Sequence, residues 1–397
     1  MNKKISLGVA ISLVAIGCAI TFVLTWTVSL GVYNSKIGST EKYEGVYAKL
    51  REIDSTVRIN YIGTLSDEQL ENSIINGYVT GIGDRYASYM AASSYYELQQ
   101  TTSGVISGAG FETEDDGSGY LKITNVYAGG SADINGILPG DVITEIDGKS
   151  LLSMESGTAQ EKLSGETGTR LSLKLLRDGE EIAVNLVRQQ IEIESVKGEM
   201  LDNNIGYIAI NAFNAKTPDQ FIEALNSLTS QDARALIFDV RGNSGGLVSA
   251  LKPMLNRFIP AAIVATAEYA DGSRKTLVET DSDECIKLPM AILTDGGTAS
   301  AAELFAVVLR DECGAALVGT QTYGKAVMQN TYEFSDGSAV TISTAKIYPA
   351  KSDSYDGTGL KPDYLSELPA GADPSNITRD ADVQLHKALE VLSTTAG

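Results

Sequence analysis

Residues 290–309 constrain the fold more than any other stretch. Met290 to Thr294 is a short apolar run of strand type, and Asp295-Gly296-Gly297 turns the chain. From Thr298 onward, Ala301, Ala302, Leu304, Phe305, Val307, Val308 and Leu309 recur with a helical period. A buried strand that turns directly into an apolar helix calls for a layered α/β core. It also sets Ser300 in the first turn of that helix. A serine there is an ordinary helix start. It is also well placed for a nucleophile, because unpaired N–H groups and the positive helix end stabilise an oxyanion.

Two further features favour the chemical reading. The chain has one histidine, His386, in a polar segment near the C-terminus, which argues against a Ser-His-Asp triad. Lys325 lies between glycine-rich and apolar stretches, and a desolvated lysine gives up its proton readily enough to act as a general base.

The pair T-A-S-A-A-E (298–303) and G-K-A-V-M-Q (324–329), with Lys325 placed 25 positions after Ser300, resembles the carboxy-terminal processing peptidases, or tail-specific proteases. The resemblance runs from about Val57 to the end. It implies an α/β core of the Clp protease/crotonase-like arrangement and a Ser/Lys dyad that cleaves proteins near their C-termini. By the same resemblance Ser300 is the nucleophile, Lys325 the base and Gln329 the residue that orients it. Ala326 stands where the family usually has glycine. Gly359-Leu360-Lys361-Pro362-Asp363 resembles the family's closing motif.

A competing site is Gly242-Asn243-Ser244-Gly245-Gly246, which satisfies G-x-S-x-G between a predicted strand, Ala235 to Val240, and a predicted helix, Leu247 to Phe258. That motif needs a histidine, and His386 has no acid-then-histidine pattern around it. The stretch 239–246 also resembles the family's D-L-R-x-N-x-G-G, in which the serine position varies. The resemblance then assigns the oxyanion hole to the Gly246 N–H, with Gly245 as the alternative, together with the N–H of Ala301. Ser39-Thr40-Glu41-Lys42 fits S-x-x-K but lacks the accompanying motifs, and reads as chance.

Gly104 to about Arg188 reads as a small β-rich module, with a strand at Ile123–Val126 and a short helix between Ala128 and Gly136. Leu138-Pro139-Gly140-Asp141-Val142-Ile143 leads into Ile146-Asp147-Gly148, a pattern similar to a PDZ domain in the order used by bacterial proteases. Such a module takes an extended C-terminal peptide as an added strand. Gly108, Ala109, Gly110 and Phe111 form the loop assigned to the terminal carboxylate, the glycines letting backbone approach the ligand. At Leu163-Ser164-Gly165 the family often has an arginine where Ser164 stands. Ahead of the module, Tyr43 to Leu98 looks helical and ends at Gly83-Asp84-Arg85-Tyr86, similar to a family turn with Arg85 in place of proline; it reads as a spacer or a dimer-forming region.

Downstream of Ile191, strands and helices alternate: Gly206–Ala212, Thr217–Leu228 with Pro218 in its first turn, and two hairpins around Asp271-Gly272 and Asp336-Gly337. A C-terminal amphipathic helix runs from Asp380 to Leu392. At the other end, Lys3 and Lys4 precede an apolar run from Ile5 to Val32, longer than the ~20 residues that cross a bilayer. It is expected to be a transmembrane signal anchor, with a lipoprotein signal at Ala15-Ile16-Gly17-Cys18 disfavoured because apolar residues continue past Cys18.

The predicted organisation is therefore an α/β multidomain chain. A transmembrane helix (1–33) precedes a helical region (34–103), a PDZ domain (104–190), a serine peptidase core (191–366) and a helical tail (367–397). The expected function is a membrane-anchored serine endopeptidase at the cytoplasmic membrane, its domains extracytoplasmic. It would act on exported proteins or peptides with a free C-terminus, with a homodimer as a further expected partner arrangement. A catalytically idle PDZ adaptor and a Ser244 esterase are the alternatives. No metal or organic cofactor is implied. A net charge of −20 argues against nucleic acid. Cys285 and Cys313 flank the Ser300 segment, and both a disulfide and buried thiols remain open.

Overall fold

The computed structural model describes residues 21, 23, 25–27, 44–154 and 158–395. The chain divides into two units, Met1–Ile74 and Ile75–Gly397.

The expected transmembrane anchor needs correction. Among the described residues no helix is long and apolar enough to cross a membrane. Most of 5–32, with Cys18, lies outside the described residues, as does the S-x-x-K match at 39–42. The architecture therefore stands as an α/β multidomain fold with a PDZ module. Membrane attachment, a single-pass location at the cytoplasmic membrane and an extracytoplasmic setting have no support among the described residues. A long apolar run meets the length requirement for a span, but length alone does not supply one.

In the first unit a helix covers 44–60, and Asp67–Thr80 begins there and continues past residue 74. Ser66 Oγ accepts the N–H of Gln69 at 3.3 Å, and Asp67 and Glu68 occupy the first turn, as a helix start requires. Arg58 forms ion pairs with Asp54 and Asp67 at 2.9 and 2.6 Å.

The second unit is built on a six-stranded sheet in the order Val196–Leu201, Ile205–Ile210, Ala235–Asp239, Met290–Thr294, Ala316–Gly319, Tyr364–Leu365. Its first pair is antiparallel and the rest are parallel. Every residue of Ala235–Asp239 and Met290–Thr294 is buried, as expected of central parallel strands covered on both faces. Alternate side chains serve opposite layers. Ile208, Leu236, Phe238 and Ile292 face a core shared with Phe221, Phe258 and Phe305. The four phenylalanines Phe221, Phe238, Phe258 and Phe305 pack with ring centroids 5.6 to 6.2 Å apart. Ile205, Ile237, Ala291, Leu293 and Val318 face the other way, onto Leu385, Ala388 and Leu392 of the C-terminal helix Val383–Thr395.

The helix expected over Leu247–Phe258 is shorter. A 3₁₀ turn at Val248–Ala250 precedes a helix at Leu251–Leu255. Pro253 lacks an N–H and is tolerated only in a first turn, so regular helix starts at Leu251. Cys285 and Cys313 are both free thiols, and burial pushes the Cys313 thiol up to about 11.

A second sheet is organised around the long strand Ala339–Pro349. Val327–Glu333 pairs along one side of it. On the other side Ser88–Met90 pairs with its first residues and Ala262–Tyr269 with its last. The PDZ module is a six-stranded sheet containing Phe111–Asp115, Leu121–Val126, Val142–Ile146, Arg170–Arg177 and Glu180–Val187. An antiparallel pair, Val105–Gly108 with Gln189–Glu192, carries the chain in and out of it. Within its P-G-D-V-I motif, burial would raise the Asp141 carboxyl. Bidentate contacts from Arg177 at 2.6 and 2.7 Å and the N–H of Leu138 outweigh this and hold it below the usual range.

The C-terminal helix is tied to the sheet by a buried ion network. Arg241 bonds Asp239, Asp382 and Gln384, and Tyr207 donates to Asp239 at 2.6 Å. Arg241→Ala leaves two carboxylates buried without their cation. A loss of about 3–5 kcal/mol is expected, read as a lowered denaturation midpoint, and an unchanged midpoint would contradict this account.

Candidate active site

Ser300 stands at the entrance of the helix Ala301–Cys313, with φ 56° and ψ −118°. Few residues other than glycine hold that conformation, and a serine kept there is strain stored at a turn. Its N–H donates to Glu303 Oε2 at 2.9 Å. Glu303 is fully buried and accepts from four donors. Besides Ser300 these are the Thr322 hydroxyl at 2.5 Å and the N–H groups of Gly324 and Lys325 at 2.7 and 2.9 Å. One carboxylate thus joins the turn that carries Ser300 to the loop that carries Lys325. The N–H of Tyr323 adds a bond to the Thr298 carbonyl at 3.0 Å.

The glycine loop is pinned to the same turn. Asp295 Oδ1 accepts the N–H groups of Gly242, Gly297 and Thr298 at 2.9 to 3.0 Å. Asn243 accepts the Ala299 N–H on its carbonyl and the Gly245 N–H on its side chain. Gly245, at φ +103°, lies so close that a Cβ would stand 2.8 Å from Ser300 Cβ and 3.0 Å from the Ala301 nitrogen. The Gly245 N–H is taken by Asn243. Among the described residues, the N–H groups of Gly246 and Ala301 donate no such bond.

Lys325 is half-buried. Its Nζ donates to Gln329 Oε1 at 2.5 Å and lies 5.1 Å from the centre of the Tyr86 ring. Burial lowers its pKa from the ordinary lysine value, and the Asp84 carboxylate opposes part of that fall. Gln329 is fixed in turn, its Nε2 donating to the Tyr86 carbonyl at 2.7 Å.

The sequence-predicted residues fall into three groups. The Ser300 turn and the Lys325 loop meet at the Glu303 carboxylate, Gln329 holds the Lys325 ammonium, and Gly245 lies against Ser300 and Ala301. Gly108, Ala109, Gly110 and Phe111 line a separate cavity of about 360 Å³ in the PDZ module, with Tyr127, Leu163 and Ser164. Ser244 is exposed on the glycine loop, and His386 is exposed beside Asn203 and Arg234 in another cavity. Sequence reasoning missed Glu303, Asp84 and Tyr86. Glu303 was signalled by S-x-x-E, a capping box at the helix start; the other two had no local signal.

The profile of Peptidase family S41 matches residues 204–366, and that of the PDZ domain residues 122–177. The carboxy-terminal processing protease CtpA of Bacillus subtilis is 31% identical over 373 residues, covering 93% of this chain and 78% of its own. The chain belongs to peptidase family S41. It is a serine-type endopeptidase of the carboxy-terminal processing group and carries the PDZ domain. The carboxyl-terminal-processing protease of Synechocystis sp. is 30% identical over 319 residues, covering 79% of this chain and 74% of its own.

Glu303→Gln keeps the volume of the S41 chain's buried link but turns one acceptor oxygen into a donor. It is expected to lower turnover about tenfold to a hundredfold by misplacing Ser300 against Lys325. It should also lower the melting midpoint through donors left unpaired, at about 1–3 kcal/mol each. Turnover equal to the parent would contradict the joining role.

Proposed function

We propose that the chain cleaves protein substrates near their C-termini, with Ser300 as nucleophile, Lys325 as general base and the PDZ module holding the free carboxylate end. The observation that carries this reading is the buried Glu303 carboxylate, which binds the Ser300 turn and the Lys325 loop at once. Neutral Lys325 takes the proton from Ser300 Oγ as that oxygen attacks the peptide carbonyl. The N–H groups of Ala301 and Gly246 receive the oxyanion. The ammonium then protonates the departing amine. Water then attacks the acyl group, giving a proton to Lys325, and the ammonium returns that proton to Ser300 Oγ as the acyl group leaves as a carboxylic acid. Gln329 holds Nζ in line throughout.

In the PDZ module the Ala109 and Gly110 carbonyls accept the N–H groups of Ala132 and Tyr127. In this reading the N–H groups of the Gly108–Phe111 loop receive the terminal carboxylate, and the edge strand Phe111–Asp115 receives the peptide main chain.

Digestion of an unstructured protein with an apolar C-terminus tests the assignment. Ser300→Ala and Lys325→Ala should each abolish cleavage, and Ser244→Ala should leave it intact. Cleavage surviving Ser300→Ala would overturn it. A lysine base works only when neutral, and burial lowers the Lys325 pKa. Turnover should therefore rise with pH along a single limb whose midpoint lies below the ordinary lysine value of about 10.4. Turnover falling from neutral pH upward would exclude Lys325 as base.

A further inference from the structure

The turn Gly83–Tyr86 touches Lys325 itself, its orienting residue Gln329 and the carbonyl that precedes it. The Tyr86 carbonyl accepts Gln329 Nε2 at 2.7 Å, fixing the amide whose oxygen holds Lys325 Nζ. The Tyr86 ring covers Nζ at 5.1 Å. The Tyr86 hydroxyl and the Arg85 guanidinium each donate to the Gly324 carbonyl at 3.1 Å, immediately before Lys325. Asp84 anchors the turn. One of its oxygens accepts the Tyr86 N–H at 3.0 Å, and the other accepts the Ser343 N–H at 2.8 Å, in the gap between the two strands that share that edge of Ala339–Pro349.

We propose that Asp84 and Tyr86 are positioning residues for the catalytic base: the turn in front of the PDZ module completes the seat of Lys325 and Gln329, and the peptidase core lacks a working base without it. This rests on the peptidase reading of Ser300 and Lys325. Tyr86 acts through geometry and exclusion of water. Its ring covers one side of Nζ, and a cation over an aromatic face is held there electrostatically. Asp84 adds the charge that favours the ammonium.

The other charged or titratable groups around the base have defined places. Glu303 takes the Lys325 N–H. Asp356 takes the Ala326 N–H at 3.1 Å and faces Arg85. Tyr323 packs on Tyr86 with centroids 6.5 Å apart. Tyr355 is buried beside Glu303 and Asp356, its pKa pushed up by burial. The Asp84 charge favours the Lys325 ammonium and so opposes part of the lowering that burial causes.

The test uses the full chain with Tyr86→Ala, Tyr86→Phe and Asp84→Asn. Turnover is measured against pH on an unstructured protein. The titration of Lys325 is followed independently by NMR of the ¹³C-dimethylated chain, its resonance identified by its loss in Lys325→Arg. Tyr86→Ala should lower kcat about tenfold or more with little change in KM. Tyr86→Phe, which keeps the ring, should stay within about threefold of the parent and shows that the position tolerates change without unfolding. Asp84→Asn removes the anion that opposes the fall in pKa, so the Lys325 titration and the rising limb of turnover should both move to lower pH. Parental kcat in Tyr86→Ala, or a Lys325 titration unmoved in Asp84→Asn, would overturn the proposal. If the parent cleaves nothing, the peptidase reading fails, and the NMR titration still decides whether Asp84 acts on Lys325.

Discussion

A carboxylate buried without partners is among the most costly groups a fold can contain, and Glu303 is tolerated because all four of its bonds are made. Those bonds come from two segments that share no secondary structure. The turn at Ser300 and the loop at Gly324–Lys325 are therefore not free to drift apart, since separating them would strip a charge of its donors. The strained backbone of Ser300 can persist for the same reason, the Glu303 contact holding its N–H in place.

The remaining parts meet at one end of the parallel sheet. The glycine loop leaves the carboxyl end of Ala235–Asp239, and the Ser300 turn leaves the carboxyl end of its neighbour Met290–Thr294. Adjacent parallel strands deliver their exit loops side by side, which is why open α/β sheets place ligands at this edge. Asp295 and Asn243 convert that proximity into fixed geometry. Glycine is required at 245 because the loop passes against Ser300 with no space for a Cβ. The Ser244 alternative finds no histidine at this loop, since His386 lies on the C-terminal helix beside Asn203 and Arg234.

What the sequence made legible follows the range of the contacts involved. The strand, turn and helix around Ser300 are consecutive in the chain, so their apolar pattern announced them. Lys325 and Gln329 belong to one short motif, and the PDZ module declared itself through P-G-D-V-I. Asp84 and Tyr86 meet Ser343 and Gln329 across more than 240 positions, and nothing local marks a residue whose partners are that distant. The apolar pattern 247–258 suggested a longer helix than Pro253 allows. The apolar N-terminal run met the length of a membrane span, yet no described helix qualifies as one.

The long strand Ala339–Pro349 has a consequence in time as well as space. Its outer edge is shared by Ser88–Met90 and Ala262–Tyr269, with the Asp84 contact between them. Synthesis proceeds from the N-terminus, so residues 84–90 exist long before the strand they pair with, and closing so long a loop is entropically slow. Ser300 is made before Lys325 and before Ser343. A nascent or partly folded chain therefore holds its serine without the finished seat of the lysine. On the proposed mechanism, cleavage by a given copy therefore waits until its own fold has closed.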